Sequence, residues 1–344
     1  MYKPNELKET IDGVYKRYPK LSTHTKSLAN WGVSYSKDLD FLTRYARGEE
    51  FFYSHMSEGE CRKSGITYKP DKYTSLSMMH SLHRYSIQKM VDSCLLCFTC
   101  DVSWLDSYKE TVVHKYWSDR LELEFYEFAY QQFLTGERPQ KLSGYLRHYG
   151  VTLGLCLSLG WLDYARDFRD RINSAFAKNI IADGGDSCGR RRTQHFLVRL
   201  LNAYDGVRDV QEQLNIKCAY DVDIFNELVK KWNTNNLDEL KSLLLKICDR
   251  HTHQCRHDSW NSNRFYDFEN FPLEYYNPFE VLSVFRLRSL HGLDNPSLQH
   301  PLMQTHLAQL HPLSDPFIDD FLGALLKRAR NEESIVASSA FKFS

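Results

Sequence analysis

Apolar side chains recur at three- and four-residue steps along most of this chain, and no run of alternating β-branched and polar residues lies between turn dipeptides. That pairing of signals restricts the chain to helices. Only 10 Pro and 16 Gly occur in 344 residues, few for a sheet protein built on tight turns. The stretch Val151-Thr-Leu-Gly-Leu-Cys156-Leu-Ser-Leu-Gly-Trp161-Leu162 is apolar all round rather than along one stripe, which marks a helix surrounded by others. The fold class read from the sequence is all-α, a multi-helix bundle with two helical parts, residues 1–136 and 137–344, packed as one unit.

The periodicity places the elements. After a short N-terminal helix, Leu28, Trp31, Tyr35, Leu39, Leu42 and Tyr45 form one helical face, with Gly48 as its stop. Residues 49–72 are polar and Lys-rich, a loop or weak helix. Leu76, Met79, Leu82 or His83, Ser86, Met90, Cys94 and Cys97 make the stripe of a long helix over 73–100. Another helix runs over 103–135, closed by Gly136 and Pro139, and two more fill 141–178. Further helices are expected over 192–204, 222–233, 237–249 and 278–291, with short helices reaching about residue 331 and a small, polar tail from Ile335.

Composition excludes several classes. Lys+Arg and Asp+Glu balance at 44 each, so the chain as a whole has no affinity for a polyanion, and no direct nucleic-acid binding is expected. The N-terminus is polar without an apolar signal core, and the longest apolar run is about 12 residues where a membrane helix needs roughly 20. A cytoplasmic location without membrane contact is expected. Nine cysteines, most of them in apolar patterns (Cys94, Cys97, Cys156, Cys218, Cys248), read as buried thiols in a reducing compartment rather than as disulfides.

Candidate chemistries are few. In Cys248-Asp249-Arg250-His251-Thr-His253-Gln-Cys255-Arg-His257-Asp258, His253 and His257 stand one helical turn apart, but no second ligand pair matches them and no Glu follows His253. The plainer reading is a polar helix end, and no metal or other cofactor is expected. Cys94-x-x-Cys97-x-x-Cys100 continues an amphipathic helix, whereas iron–sulfur ligands sit on loops. Asp183-Gly184-Gly185-Asp186-Ser-Cys188-Gly189 before Arg190-Arg191-Arg192 lacks a P-loop ending and reads as an interhelical loop able to contact a partner. Glu122, Glu124 and Glu127 read as the solvated side of their helix. Asp163, Asp167 and Asp170 with Arg166, Arg169 and Arg171 read as ion pairs on an exposed one. No residue is given a catalytic role, and the chain does not read as an enzyme.

The stretch that stands apart runs from Asp258 to Glu280. Its aromatic residues are Trp260, Phe265, Tyr266, Phe268, Phe271, Tyr275, Tyr276 and Phe279; its acids are Asp258, Asp267, Glu269, Glu274 and Glu280; Arg264 is its one base. Aromatic anchors give protein contacts their energy and a negative field selects a basic partner. The rings also suit a lid over the core, but carboxylates are expensive to bury unpaired and are expected to face water or a partner.

Two segments carry a resemblance. Trp31 to Glu50, ending Phe41-Leu-Thr-Arg44-Tyr45-Ala46-Arg47-Gly48-Glu49, resembles the N-terminal helix and turn of all-helical immunity proteins that neutralise polymorphic nuclease toxins. Asn277-Pro278-Phe279-Glu280 through Leu298, with Gly292-Leu293-Asp294 before Pro296, is similar to their C-terminal helix and turn. The resemblance implies a cytoplasmic, antitoxin-like inhibitor of a DNase delivered by a system such as type VI secretion, acting one-to-one or as a homodimer of pairs. A basic DNA cleft would be occluded by carboxylates and rings. The expected contacts are Asp258, Trp260, Tyr266, Asp267, Glu269, Glu274 and Tyr275, with Asp183 and Asp186 secondary. Two other readings compete: a metal-dependent helical hydrolase using His251, His253, His257 and Asp258, and a helical scaffold or regulator.

Overall fold

The computed structural model describes residues 35–54, 58–65, 67–142, 144, 146–181, 191–255, 267–268 and 273–332. The fold is all-α. Its helices are α1 (residues 35–46), α2 (Glu58–Lys63), α3 (Ser75–Phe98), α4 (Trp104–Leu134), α5 (Leu146–Leu159), α6 (Leu162–Ala177), α7 (Arg192–Asp205), α8 (Val210–Gln213), α9 (Asp223–Lys231), α10 (Leu237–His253), α11 (Leu273–Tyr276), α12 (Phe279–Leu290) and α13 (Asp320–Asn331). Among the described residues there are three 3-10 turns, Lys217–Ala219, Pro301–Gln304 and His306–Ala308. Among the described residues, extended pairing is limited to Phe52–Tyr53 against Asp71–Lys72, antiparallel, and two isolated bridges.

The long helices fall within a few residues of their sequence-based positions. α10 runs one turn further than expected, to His253, and the short α8 and α11 were not foreseen. The stripe of α3 is buried at Met79, Leu82, Ser86, Met90, Cys94 and Cys97, and α3 packs along α4 as a long hairpin. One hydrophobic core runs from Leu42 to Ala329 and crosses residue 136 without a break.

α5 is the centre, as its apolar circumference requires: every residue from Tyr149 to Leu159 is buried, and α4, α6, α7 and α12 all pack on it. Two glycines one turn apart make this crowding feasible. A Cβ on Gly150 would lie 2.2 Å from Gln194 Cβ of α7, and a Cβ on Gly154 would lie 2.5 Å from Phe279 Cδ2 of α12 and 2.9 Å from Leu197 Cδ1 of α7. Ser283 of α12 donates its hydroxyl to Phe279 O at 2.6 Å and Gly154 O at 3.3 Å, so α12 seats directly on the backbone of α5.

Charges expected on solvated faces are partly internal. Glu124 is 5% exposed and lies 2.9 Å from Arg171 of α6 and 3.3 Å from Arg120, while Asp167 accepts from Tyr116 Oη at 2.6 Å. Arg166 and Arg169 both reach Asp205 of α7. These groups join helices rather than decorating one; each buried carboxylate has a cation from its own or a neighbouring helix, which is the condition for burying it.

The two glycine classes give opposite expectations. Gly154→Ala should destabilise by about 1–3 kcal/mol, because Phe279 and Leu197 are held by the core and cannot withdraw freely. Gly323→Ala, in α13 with nothing within 4 Å of the added carbon, should stabilise by about 0.5–1 kcal/mol. Urea unfolding of the two variants beside wild type checks both signs.

Candidate functional site

The acidic-aromatic stretch is held at its described positions by buried polar contacts. Cys255, just past α10, forms a parallel bridge with Phe268, and Phe268 N donates to Gln254 O at 3.1 Å. The chain therefore leaves α10 and is back beside its point of departure at Asp267. Asp258, Trp260, Tyr266 and Glu269 lie outside the described residues, as do Asp183 and Asp186 in the segment that precedes α7 in sequence.

Asp267 is 2% exposed, not a surface group. Its carboxylate accepts from Arg250 Nη2 at 2.7 Å, Arg192 N at 3.1 Å, Thr193 Oγ1 at 2.9 Å and Thr193 N at 3.3 Å. Gln194 Nε2 donates to its carbonyl at 2.9 Å. α7 has no side-chain cap of its own at Arg191, and Asp267 supplies one from a distant part of the chain, satisfying the orphan N–H groups of the first turn and the Arg250 cation together. Expecting Asp267 to contact a partner thus fails for a simple reason: the helix end and Arg250 compete for the same oxygens and win them.

Glu274 and Tyr275 are also corrected. Both are buried, at 2% and 7% exposure, in the short α11 between the stretch and α12. Tyr275 gives its carbonyl to His251 Nε2–H at 3.3 Å. The inward placement expected for the rings holds at Phe268 and Phe279, which pack edge-on at 5.7 Å; the outward placement expected for acids does not hold at Asp267, Glu274 or Glu280.

His251 explains Glu280. The imidazole is 1% exposed, stacks on Phe268 at 4.0 Å between centroids, and donates Nδ1–H to Glu280 Oε1 at 2.7 Å. Burial pulls its pKa down, but the Glu280 carboxylate and the neighbouring Cys255 thiol more than reverse this and set it at about 10. Both ring nitrogens are engaged, so His251 is the cation of an internal pair, not a metal ligand as the hydrolase reading required. His257 and Asp258, the other end of that proposed set, lie outside the described residues. Among the described residues, Glu110, His114 and Asp319 bring potential ligand atoms within 4.8 Å of one another. Lys89 already places its ammonium on Glu110, and Asp319 caps α13 through Leu322 N, so this set reads as an internal ion cluster.

The segments that carry the resemblance are structural joints. Arg44 pairs with Glu49 at 3.0 Å around Gly48 (φ +85°), and Arg328 of α13 donates to Tyr45 O and Glu49 O, clasping that turn. In the second segment, buried Arg288 donates to Trp232 O at 2.7 Å, Thr234 O at 2.9 Å and Asp294 O, fixing the turn at Gly292 (φ +74°). No described helix is long and apolar enough to cross a membrane. Comparison of the chain with family models, curated proteins and solved structures gives no match.

Sequence reading missed Arg250, Thr193 and Gln194 as the holders of the stretch. Arg250 stands 17 residues before Asp267 and the others lie over 70 residues away, so no local spacing reveals them.

Asp267→Ala should destabilise by about 3–5 kcal/mol, since it strands Arg250 and uncaps α7 at once. A Thr193→Ala variant, removing one of the four contacts, should lose about 1 kcal/mol. Equal losses in chemical denaturation would disprove the shared role. The His251 pair gives a pH signature. Its folded pKa lies above the unfolded value of about 6.5, so its stabilisation is complete below that pH and declines as pH rises through about 10. The stability gap between wild type and His251→Leu should shrink over that interval, read as the difference in unfolding free energy at each pH.

Proposed function

We propose that the protein is a cytoplasmic immunity-type inhibitor that binds a cognate nuclease effector and occludes its substrate cleft, in a one-to-one complex or a dimer of such pairs. One observation carries the reading. The segment with Asp183 and Asp186 leads into Arg191, the first part of the stretch, with Asp258 and Trp260, leads into Asp267, and Arg192 N donates to Asp267 Oδ1 at 3.1 Å. The Gly-rich segment read from the sequence as able to contact a partner and the acidic-aromatic stretch thus have described residues that meet at one corner of the bundle. The corner is braced by the cap on α7, by Arg250 and by the Cys255–Phe268 bridge. Rigid anchors lower the entropy lost when loop side chains engage a partner.

The buried anchors Asp267, Glu274 and Tyr275 position the contacts in this reading, and Asp258, Trp260, Tyr266 and Glu269 make them, with Asp183 and Asp186 alongside. A basic nuclease cleft would meet carboxylates where it expects phosphates, and opposite fields would speed the encounter. No residue of this protein performs chemistry in that act.

The test is co-expression with neighbouring reading frames in a heterologous bacterium, scoring viability and chromosomal integrity. One toxic neighbour should be neutralised, and the purified pair should associate. Asp258→Lys with Glu269→Lys should weaken that association by at least about 100-fold, equivalent to roughly 2.7 kcal/mol, with an unchanged melting temperature. Rescue of no neighbour, or undiminished affinity in the folded double variant, would sink the reading.

A further inference from the structure

The C-terminal end of α3 is closed by a residue that does not suit the job. Cys100 N–H donates to Cys97 O at 3.1 Å and Asp101 N–H to Leu96 O at 3.0 Å, a closure that requires a left-handed residue at Cys100 (φ +57°). Every other described residue at positive φ is Gly or Asn, the types that adopt it at low cost. A cysteine held in that conformation points to a use for its thiol. The helical continuation expected for Cys94, Cys97 and Cys100 thus stops at Phe98. Cys100 leaves the apolar stripe and is exposed, while Cys97 stays buried on the last turn.

Both sulfurs meet the 3-10 turn His306–Ala308. Cys100 Sγ lies 3.9 Å from His306 Nε2, within hydrogen-bond reach of sulfur. Gln309 Nε2, a donor, lies 3.3 Å from Nδ1 of the same ring, so the ring hydrogen sits on Nε2 and faces Cys100. A thiolate accepts such a bond more strongly than a thiol does. At the next residue, Leu307 N–H donates to the Cys97 sulfur. Burial pushes the Cys97 thiol up to about 11, charge on Cys100 adds to this, and the Leu307 bond opposes both. Cys100 is therefore the thiol that meets a reagent, and Cys97 stands behind it.

The hydrogen-bonded turn keeps the two Cα atoms within about 7 Å, close enough for a disulfide to join them. Residues 99–103 around Cys100 are all exposed and, Val102 aside, polar. That surface suits a small polar disulfide rather than an apolar peptide.

We propose that Cys97 and Cys100 form a thiol–disulfide exchange site that reduces a small polar disulfide, with Cys100 attacking, Cys97 resolving and His306 stabilising the Cys100 thiolate. In the first step Cys100 gives its proton to solvent and its sulfur attacks one sulfur of the disulfide. The substrate S–S bond breaks, the departing thiolate takes a proton from water, and Cys100 is left in a mixed disulfide. In the second step Cys97 loses its proton to solvent and attacks Cys100 Sγ, expelling the other half of the substrate as a thiol. The chain's dithiol is oxidised by two electrons to a disulfide, and the substrate is reduced to two thiols. A mixed disulfide at Cys100 carries no charge, so its opposition to ionising Cys97 has gone when the second step needs that thiolate. This activity does not depend on the nuclease-inhibitor reading.

The experiment treats the reduced full-length protein with bis(2-hydroxyethyl) disulfide and maps the tryptic peptide 90–109, which carries all three cysteines of this end. The peptide should lose the mass of two hydrogens, with fragmentation placing the new bond between Cys97 and Cys100, and dithiothreitol should reverse the change. Cys97→Ala should instead stop at a stable hydroxyethyl adduct on Cys100. Cys100→Gly, which suits the left-handed backbone, should leave Cys97 unmodified. His306→Asn should slow the first step by about 10-fold near pH 7 and by little above about pH 9.5, where an ordinary thiol ionises unaided. A lasting adduct on Cys100 in wild type, a bond from Cys97 to Cys94 instead, or no reaction at Cys100 overturns the proposal. These outcomes are read on wild type, so they decide the matter even if a variant fails to fold.

Discussion

The backbone of α5 between Gly150 and Gly154 is the constraint on which the rest depends. With no side chains at these two positions, α7 and α12 approach α5 closely enough for Gln194 and Phe279 to fill the places a Cβ would take. Each contact sets a polar group further out. Gln194 against Gly150 carries its amide to Asp267 O, and its neighbours Arg192 and Thr193 present N–H groups to the Asp267 carboxylate. Phe279 against Gly154 places Glu280 beside His251. The two pairs that fix the acidic-aromatic stretch are thus consequences of one close helix contact, and a methyl group there would disturb packing and polar anchors together.

A net charge of zero has a different meaning here than on a bland surface. Asp119, fully buried on α4, accepts from Lys115 at 2.8 Å, His83 at 3.1 Å and Thr152; burial raises its pKa, but Lys115 and His83 prevail and hold it well below the usual carboxylate range. Glu124, Asp167 and Asp205 are bound by arginines between helices, and Asp267 and Glu280 by Arg250 and His251. Breaking one partner of such a pair is far more harmful than never having had it, so these charges specify which helix faces meet. It also means that equal totals of acid and base in the sequence say little about the sign presented outside.

The helices were legible because periodicity is a local signal: the apolar circumference of α5 and the stripe of α3 translate directly into burial. Glu124 and Asp267 were not, because charge alone reads as solvation and the groups that neutralise them lie on other elements. His251 shows the same limit. Its proximity to His253 and His257 in sequence suggests a ligand set, while the residue that determines its state, Glu280, is 29 positions away. The Cys218–His195–Gln211 contacts were least legible of all: they come from a 3-10 turn and two different helices, and the apolar pattern around Cys218 points to a plain core thiol. In the fold it is half-exposed against a base. Only the pairing of elements, fixed by long-range packing, creates that contact.

α7 links both regions. Its first turn receives Asp267, and Arg192 there also forks onto Asp221; one turn later His195 Nε2 lies 3.3 Å from Cys218 Sγ. The helix is buried on nearly every face from Thr193 to Asn202, so it cannot tilt at one end without moving the other. The element whose first turn receives Asp267 therefore also carries the ring that meets Cys218. The physical connection between the two regions runs through one buried helix and the Arg192–Asp221 pair.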